Sequence, residues 1–420
     1  MIKEHLDAGV LHILMSLMPD TFFWKLKMLY ELQNYLNSNL HDVKAQTLIL
    51  KSGKDMLLPS IIEGETLGRV LPNCEIRSFV NNGNPLLLDD SFNLLSVIKT
   101  AGYYRRGAHI NYVTDFLPLS PSEFQKMYEP FSWMEVALDP VMFSTTDSGK
   151  IVRELEGVPS EGPILLVGNH MILGLDAILL VSRFWNDRDI MVRGMAHPVH
   201  FKRMSNGKVV HLPPLNIASG GIVPASAYNL YRLLSLKSHV LLYPGGAREV
   251  LHRKGEEHKL IWPDEPEFVR MAARFGAKII PFAAVGEDDA CHLLLDFDDQ
   301  MKIPPLKAFI EQLNNEVGRL RTDAKGEIGN QLLHYPLLVP KLPGRFYYLF
   351  GKPIATEGMK DILSDRDKAC ELYLQVKTQI QKSIAYLKDK REKDPYRNIL
   401  PRLAYQGYHG FDIEIPTFNI

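Results

Sequence analysis

One histidine and one aspartate, His170 and Asp176, stand close enough in the sequence to act together in acyl transfer. Transfer to an alcohol needs a base that removes the hydroxyl proton while the oxygen attacks the acyl carbonyl. Histidine suits this role near neutral pH, and a neighbouring carboxylate fixes its tautomer. The start of a helix at Asp176 would also place a positive dipole end near developing negative charge. We therefore predict that His170 is the catalytic base and that Asp176 orients it.

The spacing of this pair is weak support by itself. The chain has 14 histidines, and an aspartate at one fixed offset should occur by chance about once per chain. A buried histidine that caps a helix would give the same pattern. Other motifs must therefore decide between a catalytic pair and a structural one.

A glycine-rich turn, 244–249, follows the apolar segment 239–243. Glycines let the backbone approach a ligand closely, and an arginine offers a fixed fork of donors. We predict that substrate contacts come from this turn and from the residue before the histidine, namely Asn169, Gly245, Gly246, Arg248 and Glu249. The alternative is a strand-ending turn with a surface arginine.

Two further segments could belong to the same site. The turn 220–226 precedes a predicted helix, where backbone N–H groups could meet a ligand. The strand-like segment 279–285 contains a proline and runs into Gly286 and the acidic trio 287–289. A solvated acidic loop is the alternative for that trio.

Apolar segments with strand character alternate with helical ones, as in parallel α/β proteins. In the first part we predict helical structure over 1–45 and 90–99 and after Pro59, with strands at 46–50 and 75–80. In the second part we predict a helix over 370–390 and strands at 163–167, 189–193, 239–243, 278–282 and 345–350. The turn-rich stretch 103–162 indicates a domain boundary near residue 120.

The composition is that of a globular chain of about two domains. Of the 420 residues, 46% are apolar and 23% are charged, and the net charge of −1 gives no case for nucleic acid. The three cysteines lie far apart without metal spacing. No apolar run reaches the ~18 residues that span a bilayer. The first residues resemble neither a signal nor a transit peptide, so a targeting segment is absent or not included.

The segment around His170, the turn 220–226, the glycine-rich turn 244–249 and the strand-like segment 279–285 follow one another in the order seen in glycerolipid acyltransferases. The region from about 125 to 420 closely resembles the plant phytyl ester synthase family, also called esterase/lipase/thioesterase-type acyltransferases. It is more distantly similar to type 2 diacylglycerol acyltransferases and to monoacylglycerol acyltransferases. The segments that carry this resemblance are 167–171, 237–257 and 268–277.

This resemblance implies an O-acyltransferase that moves a fatty acyl group to phytol or diacylglycerol, giving fatty acid phytyl esters and triacylglycerol. The donor would be acyl-CoA, acyl carrier protein or a galactolipid, and neither a cofactor nor a metal is expected. The resemblance also implies a chloroplast location, at plastoglobules or thylakoids. Long-chain lipid substrates would reach His170 through an apolar tunnel. The sequence does not indicate an oligomeric state.

Peripheral contact with a membrane or plastoglobule surface must then come from exposed apolar side chains. The candidate segment is 130–138, with further exposure around 141–143. The alternative, which the frequency of such stripes in protein cores favours, is packing within the domain.

Two departures from the wider lysophospholipid acyltransferase pattern are informative. That pattern has four residues between histidine and aspartate, whereas five separate His170 from Asp176. It also has a glutamate after the proline of the third motif, where this chain has Gly245. These changes favour a neutral acceptor, although Arg248 remains a candidate for reading an anion.

Residues 1–120 resemble the last part of an α/β-hydrolase. Asp55 and Asn84 have the spacing of the second and third members of a catalytic triad. Asparagine cannot act as a base, and the sequence has no Gly-x-Ser-x-Gly motif. We predict a truncated α/β-hydrolase remnant with a degenerate triad, followed by a glycerolipid-acyltransferase-like α/β domain over 121–420. The chain then looks like a truncated gene model, a splice form or a fragment.

Two other functions stay open. One is a lipase or thioesterase-type acyl hydrolase, which would need a histidine near position 84 and an upstream serine. The other is a non-catalytic lipid-binding or plastoglobule-coat protein. Replacement of His170 distinguishes the acyltransferase from that binding protein.

Overall fold

A computed structural model describes residues 19–55, 58–83, 86–89, 92–101, 111–201, 220–317 and 331–420. The chain divides into two compact units, Met1–Phe124 and Gln125–Ile420. The assignment of the domains to 1–120 and 121–420 stays a prediction, and each unit is described below by itself.

Helices and strands alternate along most of the described chain. The α-helices are α1 Pro19–Asn39, α2 Ser60–Val70, α3 Leu94–Ala101, α4 Pro121–Tyr128, α5 Ser132–Leu138, α6 Leu175–Arg188, α7 Ala227–Ser235, α8 Ala247–Val250, α9 Glu267–Phe275, α10 Glu287–Ala290, α11 Phe297–Gln300, α12 Pro304–Val317, α13 Arg366–Arg391 and α14 Ile399–His409. Short 3-10 helices lie at Leu40–Asp42, Leu86–Leu88, Glu129–Phe131, Ile172–Gly174, Pro198–Phe201 and Lys360–Leu363. The strands are β1 Thr47–Ser52, β2 Cys74–Phe79, β3 Val141–Thr145, β4 Ile151–Arg153, β5 Ile164–Gly168, β6 Val192–Ala196, β7 Val223–Pro224, β8 His239–Leu242, β9 Lys278–Val285, β10 Cys291–Leu295, β11 Leu337–Pro340 and β12 Tyr347–Phe350.

The first unit contains a small parallel β-α-β arrangement. Strands β1 and β2 pair in parallel from Thr47 opposite Cys74 to Ser52 opposite Phe79, and α2 packs on both. Gly53 follows β1 where a Cβ atom would overlap the backbone of Val80, so this turn needs a glycine. The predicted alternation of strands and helices is found here, and the hydrolase remnant stays a prediction.

The second unit is built on an eight-stranded mixed sheet with the order β4-β3-β12-β9-β5-β8-β6-β7. Strands β9, β5, β8, β6 and β7 run parallel, and β12 is antiparallel to β9. The predicted α/β fold class is therefore confirmed. Because the carboxyl ends of the parallel strands share one edge, loops that leave them can assemble a site there.

The central strands are mostly apolar because the sheet is covered on both faces. All five residues of β5 are buried, and so are all residues of β9 except Lys278. Helix α13 packs on β9, and its buried residues recur at helical spacing, for example Leu372, Val376 and Ile380. Its N-cap, Asp365, accepts hydrogen bonds from two backbone amides of the first turn.

The predicted membrane-contact segment behaves differently in its two parts. Residues 141–143 form the buried start of β3, which pairs with β12, so the alternative of packing within the domain, which the sequence favoured, is confirmed for them. Within α5, Met134 and Leu138 are buried, whereas Trp133 and Val136 are 62% and 69% exposed. Among the helices that the structure describes, none is both long and apolar enough to cross a bilayer.

Candidate active site

The segment 169–174 connects β5 to α6 at the edge where the parallel strands end. A Cβ atom on Gly168 would overlap the ring of Phe282, so β5 can pack this closely on β9 only with a glycine here. The Asn169 amide then donates to the carbonyl of Ala284 and accepts from its N–H, both at 2.9 Å. This side chain continues the β5–β9 ladder by one more pair and fixes the start of the loop.

His170 and Asp176 meet as the sequence predicts. His170 Nδ1 lies 2.9 Å from Asp176 Oδ1. The Asp176 side chain is fully buried and also accepts from the Met171 amide at 2.9 Å and from the Tyr243 hydroxyl at 2.5 Å. Because a carboxylate only accepts, Nδ1 carries the proton and Nε2 is left with its lone pair. This tautomer is the one that a general base requires.

The imidazole is held by a stacked tyrosine ring and by a closely placed glycine. The rings of His170 and Tyr243 stack with centroids 3.6 Å apart and an angle of 3° between their planes. On another side lies Gly174, whose φ of 74° suits glycine and where a Cβ atom would come within 3.2 Å of His170 Cε1. The His170 side chain remains 15% exposed. The ring is thus clamped but still reachable from outside.

Three successive backbone amides of this loop donate to three different carboxylates. The amides of residues 170, 171 and 172 donate to Glu249, Asp176 and Glu287 at 3.2, 2.9 and 2.6 Å. All three carboxylates are buried, and only Asp176 is local in sequence. Leu173, the next residue, has a φ of 52°, a left-handed conformation that costs a non-glycine residue about 1–2 kcal/mol. The surrounding bonds must therefore impose this conformation.

Burial and mutual repulsion of the acids set the electrostatics of the loop. Burial raises the pKa of Glu249 well above its ordinary value, and the nearby charges of Asp176 and Glu287 raise it further. Hydrogen bonds from the amides of Ile261 and His170 act in the opposite direction. Burial, followed by the charge of Asp176, raises the pKa of Tyr243. This tyrosine thus stays a proton donor to Asp176.

The glycine-rich turn is more internal than expected. The Arg248 side chain is 1% exposed, and both of its terminal nitrogens lie 2.8 Å from oxygens of Glu256. Burial raises the pKa of Glu256, but Arg248, together with the amide and the charge of Arg253, outweighs this effect and lowers that pKa to about 2. The alternative of a surface arginine is therefore wrong.

The two glycines of that turn have separate roles. A Cβ atom on Gly245 would overlap the Glu249 side chain, so Gly245 makes room for this carboxylate. Gly246 has a φ of 50° and nothing within 4 Å of its Cβ position. The substrate-binding role of Asn169, Gly245, Gly246, Arg248 and Glu249 stays a prediction; the structure gives the three side chains partners within the chain.

The acidic trio 287–289 is not a solvated loop, so that alternative is wrong. Glu287 is 3% exposed and accepts from the loop amide described above. Asp288 and Asp289 pair with arginines from the C-terminal part of the chain, Arg391 and Arg397 respectively. The motif that could have indicated this role is the strand that precedes Gly286, but the partners lie far away in sequence.

Sequence reasoning also missed two tyrosines at the site. Tyr243 contacts both members of the pair, as described above. The hydroxyl of Tyr348 donates to the backbone carbonyl of Asp176 at 3.0 Å. An aromatic residue at the end of an apolar strand gives no signal that separates such a role from core packing.

The predicted triad remnant is only partly described. The carboxylate of Asp55 accepts from the Leu58 amide at 3.0 Å and from the Ser60 hydroxyl at the start of α2. Asn84 lies outside the described residues. The degenerate triad therefore stays a prediction, and Asp55 has a local structural role.

Comparison with known proteins gives strong similarities to acyltransferases. A family model described as diacylglycerol acyltransferase matches residues 211–313, which include the glycine-rich turn and Glu287. The chain is 47% identical to phytyl ester synthase 2 of Arabidopsis thaliana, over 96% of this chain and 57% of that protein. It is 48% identical to phytyl ester synthase 1 of the same plant, over 100% of this chain and 60% of that protein. The resemblance to the phytyl ester synthases is confirmed.

The more distant similarity is short. Human 2-acylglycerol O-acyltransferase 3 is 38% identical over 80 residues, which cover 18% of this chain and 24% of that protein. Against the two phytyl ester synthases the similarity runs along nearly the whole of this chain, yet the chain spans only 57% and 60% of their lengths.

Proposed function

We propose that the chain is an O-acyltransferase that moves a fatty acyl group to a neutral lipid alcohol, phytol or diacylglycerol. The products would be fatty acid phytyl esters and triacylglycerol. The observation that carries this proposal is the pairing of His170 Nδ1 with the buried carboxylate of Asp176 at 2.9 Å. This pairing leaves Nε2 of the partly exposed His170 as a base, where the parallel strands of the sheet end.

The proposed step balances with these two side chains alone. His170 Nε2 takes the hydroxyl proton while the acceptor oxygen bonds to the acyl carbonyl carbon. The bond from that carbon to the thiol or alcohol of the donor then breaks, and the imidazolium returns the proton to the leaving group. Asp176 stabilises the imidazolium through Nδ1 and holds the ring in place.

The similarity to phytyl ester synthases supports the choice of acceptor. Both Arabidopsis relatives are named for the formation of phytyl esters, and the matching family model is named for diacylglycerol. The state of Arg248 supports a neutral acceptor as well, because its guanidinium is buried and bound to Glu256. An anionic headgroup would have to compete with a bidentate carboxylate.

The setting of the reaction is part of the proposal. Both relatives carry the word chloroplastic in their names, and we propose the same compartment for this chain, at plastoglobules or thylakoids. Acyl-CoA, acyl carrier protein or galactolipid would supply the acyl group, without a cofactor. Exposed apolar residues such as Trp133 and Val136 would allow peripheral contact with a lipid surface.

The test is an assay of the purified chain with labelled acyl donor and with phytol and diacylglycerol offered side by side. We expect labelled esters of one or both alcohols, and a loss of about 10²- to 10⁴-fold for His170→Gln. His292→Gln, which changes an exposed histidine of β10, is the matched control. Equal rates for wild type and His170→Gln would refute the proposal.

The same assay separates the two alternatives. Release of labelled free fatty acid without ester formation would indicate an acyl hydrolase. Saturable binding of labelled lipid without any turnover would indicate a lipid-binding protein. Either result would overturn the assignment of acyl transfer to the His170–Asp176 pair.

A further inference from the structure

Glu287 contacts the loop 169–174, which carries His170, but it is not part of the His170–Asp176 pair. We infer that Glu287 is a positioning residue, which fixes the loop 169–174 through the Ile172 amide. Its buried negative charge is balanced by an imidazolium at His252. This inference deepens the proposed function and rests on it, since the loop positions the proposed base.

The contact between Glu287 and the loop is short and buried. The Ile172 amide donates to Glu287 Oε2 at 2.6 Å, and Glu287 is 3% exposed. This amide directly precedes Leu173, whose φ of 52° is unfavourable for a side chain. Such a conformation persists only where its neighbours impose it. The hydrogen bond to Glu287 supplies such a constraint, because it fixes the residue directly before Leu173.

The surroundings of His252 favour its doubly protonated form. Its Nδ1 lies 3.1 Å from the backbone carbonyl of Arg253, which only accepts, so Nδ1 carries a proton. Its Nε2 lies 3.4 Å from Glu287 Oε2. A favourable contact with that carboxylate needs a second proton, on Nε2. The side chains of His252 and Glu287 are 5% and 3% exposed, so water screens their interaction little.

A second histidine borders the same carboxylate but has its own partner. His258 Nδ1 lies 3.7 Å from Glu287 Oε1, and its Nε2 lies 3.1 Å from Asp288 Oδ1. Asp288 is also held by the guanidinium of Arg391. The other ionisable groups that interact with Glu287 or with His252 are Glu249, Glu257 and Cys291, and Lys341 acts on Cys291 in turn. Of the two histidines, His252 lies closer to the Glu287 carboxylate, at 3.4 Å against 3.7 Å.

The pair gives the loop a defined dependence on pH. Burial lowers the pKa of His252, but its interaction with the Glu287 carboxylate, 3.4 Å away, outweighs this effect and raises the pKa above its ordinary value. A raised imidazole pKa stabilises the fold fully below about 6.5, and the stabilisation is lost as pH rises through the folded-state value. Above that value Glu287 loses its counter-charge. We therefore expect transfer to decline on the alkaline side.

The first experiment measures kcat, KM and the pH profile of transfer for the full chain. We expect Glu287→Ala to lose about 100-fold in kcat with little change in KM, because the base is displaced rather than the substrate lost. Glu287→Gln keeps an oxygen acceptor for the Ile172 amide, so its kcat should fall less than that of Glu287→Ala. Because glutamine is neutral and needs no counter-charge, the decline of the rate at alkaline pH should disappear. His252→Gln should also remove that decline. Glu267→Gln, at a surface glutamate of α9, is the control.

A second readout follows the His170 ring directly. In protein labelled with ¹³C at histidine, the signal missing from His170→Gln identifies His170. We expect Glu287→Ala to shift this signal and change its titration, while Glu267→Gln leaves it in place. Thermal melts establish that each variant is folded, and Glu287→Gln serves if Glu287→Ala does not fold.

The outcomes separate this inference from the proposed function. Unchanged kcat and unchanged His170 signals in both Glu287 variants would overturn the positioning role. An alkaline decline that persists in His252→Gln would overturn the role of His252. If the wild type transfers no acyl group, the proposed function fails alone, and the His170 signals still decide whether Glu287 positions the loop.

Discussion

Two side-chain pairs, Arg248–Glu256 and His170–Asp176, follow the carboxyl ends of the neighbouring strands β8 and β5, and they differ in what they leave exposed. Arg248 is 1% exposed and binds Glu256 through both terminal nitrogens. His170 is 15% exposed and binds Asp176 through Nδ1, and among the described residues no bond to Nε2 is seen. Both terminal nitrogens of Arg248 are thus taken up by Glu256, whereas Nε2 of His170 is available to a substrate.

The largest effect should follow from Asp176→Asn. An amide in place of the carboxylate turns one of its two acceptors into a donor, so the three donors that meet there can no longer all be satisfied. We expect kcat to fall by about 10²- to 10⁴-fold. Asp389→Asn, on the surface of α13, is the control in the same transfer assay. An Asp176→Asn enzyme with wild-type activity would show that the His170–Asp176 pair does not carry the reaction.

Arg248→Met should affect the fold rather than the reaction. Removal of one partner from a buried ion pair costs about 3–5 kcal/mol, and the 20% exposure of Glu256 places this case near the lower end. Urea unfolding measures this loss, and Arg248→Met with Glu256→Gln should recover part of it. A selective rise in KM at unchanged stability would instead support the predicted substrate contact of Arg248.

Tyr243→Phe should give an intermediate effect. The substitution removes the hydrogen bond to Asp176 but keeps the ring that stacks on His170. A hydrogen bond to a charged group contributes about 1.5–3 kcal/mol, so we expect a loss of about 10-fold or more in kcat. Tyr243→Ala, which also removes the stacking ring, should lose more. Equal rates for Tyr243→Phe and wild type would show that Asp176 alone orients the base.

The smallest effect should follow from Asp55→Asn in the first unit. Asp55 accepts from the Leu58 amide and the Ser60 hydroxyl beside α2, and the side-chain oxygen of asparagine can still accept from the amide. We expect stability within about 0.5 kcal/mol of wild type and an unchanged transfer rate. A large loss of transfer would mean that the predicted hydrolase remnant takes part in the reaction.

Features that depend on neighbours in sequence could be predicted. The strands β5, β8 and β9 are short apolar runs, and each lies within a few residues of its expected place. The His170–Asp176 contact spans only six positions, so the loop and its glycine suffice to suggest it. The start of β6 at Val192 is later than expected, because Asp189 adopts a left-handed conformation after α6.

Features that depend on distant residues could not be predicted. Glu249 and Glu287 bond to loop amides 79 and 115 positions away. Asp288 is paired with Arg391 across 103 positions, so an acidic run that reads as a solvated loop is instead internal. For residues 141–143 the sequence favoured packing within the domain, but the partner strand β12 lies far along the chain and could not be predicted.

The three amides that donate to buried carboxylates have a consequence for exchange with deuterium. Loop amides ordinarily exchange quickly because water reaches them, whereas those of residues 170–172 are bonded to Glu249, Asp176 and Glu287. They should therefore exchange nearly as slowly as the amides of β5, although they lie outside the sheet. We then expect this loop to stay closed during turnover, so that substrates enter past a base that keeps its position.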